Sequence, residues 1–309
     1  MPMKTPKEMY DNAISNDFAL GAFNVYSLES LQAVVNASEK QKAPIIIQVS
    51  MGARKYVKKL KPFCDFIKSY VSDSDAQVFL QHDHCPTIES CKEAIQAGVQ
   101  AVMYDGSHLS FEENIKTTKE IVKYAHDRGI WVEAELGRIP GFEDQIYAGH
   151  SELTDSKKAK EFIALTKCDS LAISVGTAHG GVVADDYLPL HFDVLKKIIK
   201  ENPNYPFVLH GGASLPQTLI DKCNSLGGNV DALKMCKEED ISKAVEFGIK
   251  KVNMDVDNFL AHTIAIRYFL SNKPEVYDPR KYLSFARDAF EEEVKHKIEF
   301  VLRSKGKNI

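Results

Sequence analysis

Residues 76–107 read AQVFLQHDHCPTIESCKEAIQAGVQAVMYDGS. A β-rich run ends at His84, a helically spaced segment lies between Thr87 and Gly98, and a second β-rich run covers Val99–Ser107. Strand, helix, strand is the unit, and it recurs from end to end. The remaining β-rich runs are ALGAFNV from Ala19, APIIIQVS from Ala43, WVEAELG from Trp131, SLAISVG from Ser170, FVLHGG from Phe207 and KKVNMDV from Lys250. Segments such as SLESLQAVVNASEKQK lie between them, with Ser or Thr at the start and Gly or Lys at the stop. Eight such units predict an α/β fold, a (β/α)8 TIM barrel, formed by residues 1–309 as one domain with a helical C-terminal extension. An open doubly wound sheet is disfavoured, because no G-x-G-x-x-G follows the first strand and no linker divides the chain.

A chain of 309 residues with 44% hydrophobic and 27% charged residues can bury a large core without staples. Its net charge of −4 gives no basic excess for nucleic acid or for an anionic membrane surface. The six cysteines form no C-x-x-C pair, which fits reduced thiols in a cytoplasm. The N-terminal segment has no apolar signal core, and no apolar run approaches the ~20 residues of a membrane span. A cytoplasmic enzyme with a small-molecule substrate is expected.

Loops that follow barrel strands carry the chemistry. Polar and ionisable residues gather at those strand ends: Asn24, Ser50, Asp83, His84, Asp105, Glu133, Glu135, His179, His210, Asn253 and Asp255. His84, His179 and His210 end three different strands, and three imidazoles on one rim make an open zinc site with room for a substrate oxygen. Asp83 is placed less simply. Strand alternation sends His82 and His84 to one face and Asp83 to the other, so Asp83 reaches the mouth only if the strand bends. There it would either move substrate protons or hold a ligand imidazole in place. Two longer stretches, Arg138–Ser151 and Gly180–Leu190, are irregular and are candidate lids.

The motifs then resemble those of a known family. GAFNV from Gly21, Asp83-His84, DGSHLSFEENI from Asp105, VEAELG from Val132, ELTD from Glu152, GTAHG from Gly176, HGGAS from His210, Asn253-Met254-Asp255 and DPRKYL from Asp278 are similar to the class II, metal-dependent fructose-1,6-bisphosphate and tagatose-1,6-bisphosphate aldolases. The resemblance runs over nearly the whole chain. It implies that His84, His179 and His210 bind zinc and that Asp83 is the acid/base. It implies that Asp105 and Glu135 serve a second or alternate metal position, and that Glu143 in a loop assists proton transfer. It further implies substrate contacts at Asn24, Ser50, Gly180, Gly211, Ser214, Asn253 and Asp255. A second divalent ion or a monovalent cation is compatible with it. The implied reaction is a retro-aldol cleavage through a zinc-stabilised ene-diolate. Arg280 matches an arginine that reaches a neighbour's site to hold the distal phosphate, so a homodimer or homotetramer is expected.

The departures cluster where the family holds the phosphate on the ketone-bearing half of its substrate. A serine is replaced by Ala213, with Ser214 one place later, a Thr or Ser by Val256, and a loop lysine by Val183. Loss of charge-assisted donors weakens anion binding, so the expected substrate is a ketose or ketose phosphate lacking that phosphate. At the other, distal end, which Arg280 serves and where Ser50 matches a substrate-contacting hydroxyl, Phe259 stands where some relatives have a further phosphate-binding arginine. Alternatives are fructose 1,6-bisphosphate itself, a modified sugar acid or sulfonate, and a catalytically silent sugar-binding homologue.

Overall fold

The computed structural model describes residues 3–309 except 144–145, 149–151, 181, 184–186 and 231–232, and describes the backbone alone at 142–143, 146–148, 182–183 and 233. Eight parallel strands close a barrel: β1 (Leu20–Asn24), β2 (Ile45–Val49), β3 (Val78–Cys85), β4 (Ala101–Tyr104), β5 (Trp131–Leu136), β6 (Ser170–Ile173), β7 (Phe207–Leu209) and β8 (Ile249–Met254). All eight expected runs are present, and β8 returns to pair with β1 in the register Leu20 to Lys251. Strands in such a barrel are covered on both faces, which is why runs like Ile45-Ile46-Ile47 are apolar without alternation. Because the strands are parallel, their C-terminal ends all open on one rim.

The intervening helices start where the sequence signals them. Ser27, Thr87 and Ser110 each accept a hydrogen bond from the backbone N–H three residues on, satisfying donors the first turn would otherwise leave open. A helix at Pro6–Ser15, to which the strand-helix pattern did not point, covers the other end of the barrel. It buries Met9, Tyr10 and Ala13 against Phe18, Leu20 and Phe79, and Tyr10 stacks on Trp131 at 4.8 Å. Each fully buried side chain of this size contributes about 1.5–3 kcal/mol.

The C-terminal helices, Val256–Asn272 and Pro279–His296, pack on one another, and the second packs on the Leu28–Gln41 helix. Lys297 is buried at their base, 2.9 Å from Asp257 and 3.1 Å from Glu293, with Glu238 as a third partner. Asp257 also accepts the Ser214 N–H at 3.2 Å, which ties the chain end to the loop after β7.

The two stretches expected to be irregular contain short strands. Gly141–Glu143 pairs with Ile146–Ala148, and Val182–Val183 pairs with Leu233–Lys234. The rest of the proposed lids lies partly outside the described residues. All six cysteines are buried free thiols. Among the described residues no helix is long and apolar enough to cross a membrane.

Candidate metal centre and active site

The bend required of β3 is present. From His82 to Cys85 this strand uses three steps where β4 uses two, from Val102 to Tyr104, and His84 has a left-handed φ of 46°. One extra residue breaks the alternation. Asp83 and His84 therefore both face the barrel mouth, while His82 turns away to meet the Cys85 thiol at 3.3 Å. The expectation that His82 and His84 share a face is corrected by this bulge.

His84, His179 and His210 come together with ring centroids 4.6, 5.0 and 5.7 Å apart. They are 3%, 6% and 0% exposed, and His210 Nδ1 lies 2.8 Å from His84 Nε2. One nitrogen from each lies within 4.8 Å of the others. A tetrahedral zinc with Zn–N bonds of about 2.0–2.1 Å needs nitrogens roughly 3.3–3.4 Å apart. The His84–His210 spacing is a little shorter than that edge and all three nitrogens lie within 4.8 Å, so the donor set can hold the ion with small ring shifts. Burial, reinforced by His84 and His210, pushes the His179 imidazole well below its ordinary value. Burial also pushes His210 down, against the pull of Glu133. Neutral imidazole is the form that binds a metal.

Two glycines let the histidine-bearing loops meet. Gly141, at φ 109°, lies where a Cβ would come 2.1 Å from the His179 carbonyl oxygen. Gly211, at φ 60°, lies against Ala178 in the same way, at 2.4 Å. Only glycine combines this conformation with this approach. Gly211 thus has a backbone role apart from the substrate contact expected of it.

A second group, His84, Asp105 and Glu135, also places one donor from each within 4.8 Å. Asp105 Oδ2 is 3.6 Å from His84 Nδ1, and Glu135 Oε2 is 3.9 Å from His210 Nδ1. Burial alone would raise Asp105, but His84 and Ser107 hold its carboxyl below the usual range. Asp83 stands on the opposite side, 3.9 Å from His84 Nε2, and accepts a hydrogen bond from Asn253 Nδ2 at 3.1 Å.

Glu133 is not on the rim, as its place near a strand end suggested. It lies one layer below, fully buried, and binds His210 Nε2 at 2.9 Å and Lys251 Nζ at 2.7 Å. Gln81 donates to it at 3.2 Å. Burial works to raise the Glu133 carboxyl, but Lys251 and His210 outweigh it and hold the value at about 2. A carboxylate on the far nitrogen of a ligand imidazole fixes its orientation and raises its basicity. Lys251 was missed in the sequence. Its signal was a lysine at an inward position of the β8 run.

Beside the metal group lies a cavity of about 560 Å3 whose lining includes Asn24, Ser50, Gly180 and Asp255, four residues expected to contact substrate. Asn24 Nδ2 is 3.4 Å from Asp255 Oδ2. Ser50 also caps the Met51–Val57 helix through the Ala53 N–H. Ser214 is not in the lining of this cavity: it is 2% exposed, and its backbone N–H donates to Asp257. Arg280 is paired with Asp278, and its side chain is 89% exposed. Glu143 ends a short strand, and its side chain lies outside the described residues.

The family model for fructose-bisphosphate aldolase class-II matches residues 4–307. The chain belongs to this family. Relatives include the fructose-bisphosphate aldolase of Treponema pallidum (strain Nichols), 37% identical over 97% of this chain and 96% of that protein. The fructose-bisphosphate aldolase of Staphylococcus aureus (strain Mu50) is 38% identical over 96% of each. Among solved structures, the YdjI aldolase from Escherichia coli K12 matches with a TM-score of 0.78 and 28% identity over 100% of both chains. A putative fructose-1,6-biphosphate aldolase from Coccidioides immitis matches with a TM-score of 0.80 and 26% identity, over 98% of this chain and 97% of that one. Class II aldolases are aldehyde-lyases and are generally zinc-dependent, in keeping with the buried donor set.

Proposed function

We propose that this chain cleaves a ketose or ketose phosphate by a metal-dependent retro-aldol reaction, and that its substrate lacks the phosphate on the ketone-bearing end. The observation that carries the first part is the meeting of His84, His179 and His210 beside Asp83. When bound, zinc supplies a Lewis acid that polarises the ketone and stabilises the negative charge left when the C3–C4 bond breaks. Asn253 orients Asp83 towards the mouth, where its carboxylate takes the proton of the C4 hydroxyl. Glu133 holds the His210 ring from below, and Lys251 keeps Glu133 ionised. Asn24, Ser50, Asn253 and Asp255 supply hydrogen bonds to substrate hydroxyls. Asp83, Glu143 and water are the candidates for reprotonation.

The second part is supported by the surroundings of the altered positions. Ala213 is fully buried in an apolar cluster with Leu215, Ile220, Leu260 and Ile264, and Val256 packs against the same cluster. Neither offers a hydroxyl. Arg280 is assigned to the distal phosphate of a neighbouring subunit's substrate, in a homodimer or homotetramer working in the cytoplasm.

The test is a steady-state comparison of the zinc-loaded enzyme on fructose 1,6-bisphosphate, fructose 6-phosphate and free ketoses, before and after chelation. Activity lost on chelation and regained with zinc is expected, with the higher kcat/KM on a substrate free of the C1 phosphate. Turnover that survives exhaustive chelation removes the metal assignment. A far higher kcat/KM for the bisphosphate removes the substrate assignment.

A further inference from the structure

The loop after β7 leaves the metal group at His210 and enters the protein again at Ser214. Two hydrogen bonds tie it to one segment, the end of β8 and the first turn of the Val256–Asn272 helix. The Gly212 N–H donates to the Asn253 carbonyl at 3.0 Å, and the Ser214 N–H donates to Asp257 Oδ2 at 3.2 Å. The same segment presents Asn253, whose Nδ2 lies 3.1 Å from Asp83 Oδ2 and 3.3 Å from His210 Nε2. The offset between loop and segment therefore sets where Asp83 stands relative to His210.

Asp257 is held from several sides. Its Oδ1 accepts the Asn258 N–H at 2.9 Å, and its Oδ2 also meets the Lys297 ammonium at 2.9 Å. Lys297 in turn meets Glu293 at 3.1 Å and Glu238, and Glu238 meets His296 at 2.8 Å. The chain widens into a π-helix at Lys297–Val301, where this network forms, and such turns frequently occur at functional positions. Asp257 and Lys297 are both buried. A buried ion pair is often no more stabilising than apolar residues of the same volume. What an apolar residue cannot do is accept the Ser214 N–H at a fixed place.

We infer that Asp257, fixed by Lys297 from the far end of the chain, is a positioning residue for the active site. It holds the loop after β7 in register with the end of β8, so that Asp83, through Asn253, is aligned with the metal group. Neither Asp257 nor Lys297 is among the residues that line the 560 Å3 cavity or could hold the metal, so both act through others. The inference rests on the aldolase reading for the role of Asp83 and adds to it the part of the fold that keeps acid/base and metal in step.

The test uses the full-length enzyme and three variants. Asp257→Leu removes the acceptor of the Ser214 N–H and leaves Lys297 paired with Glu238 and Glu293. Asp257→Asn keeps an acceptor, and Glu293→Gln disturbs Lys297 without touching the loop. Stability, kcat and KM at saturating zinc, and the visible spectrum of the cobalt(II)-substituted protein are measured for each. Asp257→Leu should lower kcat about tenfold to a hundredfold, as small misplacements set up far from the chemistry do. Its KM should stay near wild type, and its cobalt spectrum should change as His210 moves with its loop. Asp257→Asn should keep kcat and spectrum close to wild type, and Glu293→Gln should lose stability alone. Should Asp257→Leu not fold, Asp257→Ala is the second variant without an acceptor and carries the same expectations. An acceptor-free variant with wild-type kcat and cobalt spectrum overturns the inference. So does a loss of kcat in Glu293→Gln as large as that in Asp257→Leu, because activity would then follow stability alone. If the wild type cleaves no ketose, the aldolase reading fails, and the cobalt spectra still decide whether Asp257 positions the loop of His210.

Discussion

Gly211 lies so close to Ala178 that a Cβ at this position would come 2.4 Å from the Ala178 carbonyl oxygen. The contact joins the loop after β7, which carries His210, to the loop after β6, which carries His179. It sets the 5.7 Å spacing of those rings. Gly211→Ala must therefore push the loops apart and also strain a backbone at φ 60°, at a cost of about 1–3 kcal/mol. Zinc affinity should fall by roughly ten- to a hundredfold, as it does when groups that orient metal ligands are lost. Competition with a chromophoric chelator measures this. Wild-type affinity in the variant would show that the loops can move without disturbing the ligands.

The buried pair of Glu133 and Lys251 makes a different prediction. Both side chains are fully buried, so Lys251→Met leaves Glu133 without its cation. Breaking one side of such a pair costs about 3–5 kcal/mol, whereas replacing both partners is often nearly neutral. Urea denaturation should find Lys251→Met the less stable protein and recover much of the loss in the Glu133→Gln, Lys251→Met double variant. The double variant should still bind zinc more weakly, because His210 has exchanged a carboxylate for an amide. Equal stability of single and double variants would mean that Glu133 is protonated or hydrated rather than paired.

The barrel was legible because its signal is periodic and redundant: eight apolar runs, helical spacing between them, and Ser or Thr at the helix starts. The three histidines were legible because each ends one of those runs. The direction of Asp83 was not, since a one-residue bulge reverses alternation and no local residue type announces it. The depth of Glu133 was hidden for a related reason. It shares the inward face with Glu135, and a period of two gives the face of a strand but not the layer. Ser214 looked like a displaced substrate donor by sequence, yet it is buried and its backbone N–H is taken by Asp257, which is itself paired with Lys297 far along the chain. Such long-range ion pairs leave no short-range pattern.

Arg280 can be tested without knowing the assembly in advance. Its side chain is 89% exposed and meets only Asp278 within the chain among the described contacts. If it serves a neighbouring site, Arg280→Ala should weaken cleavage of a substrate carrying the distal phosphate and leave stability unchanged. Mixing that variant with Asp83→Asn should restore activity, to about a quarter of wild-type sites for a randomly assorted symmetric dimer. No recovery in mixed assemblies known to exchange subunits would confine Arg280 to its own chain.

Asp83 and Asn253 give the sharpest division between the two roles open to this carboxylate. Asp83 Oδ2 is held by Asn253 Nδ2 at 3.1 Å but stands 3.9 Å from His84 Nε2, too far for a direct hydrogen bond that would orient the ring. A proton-transfer role then predicts that Asp83→Asn, which keeps the size of the side chain, lowers kcat by about 10²–10⁴. Zinc affinity and KM should stay near wild type. Asn253→Ala should lower kcat by a smaller factor, because the carboxylate keeps its identity and loses only its orientation. Were Asp83 instead a support for the ligand imidazole, zinc affinity would fall with activity, and raising the zinc concentration would rescue both. Measuring kcat at saturating zinc alongside the zinc dissociation constant separates these outcomes, since a missing proton acceptor cannot be restored by more metal.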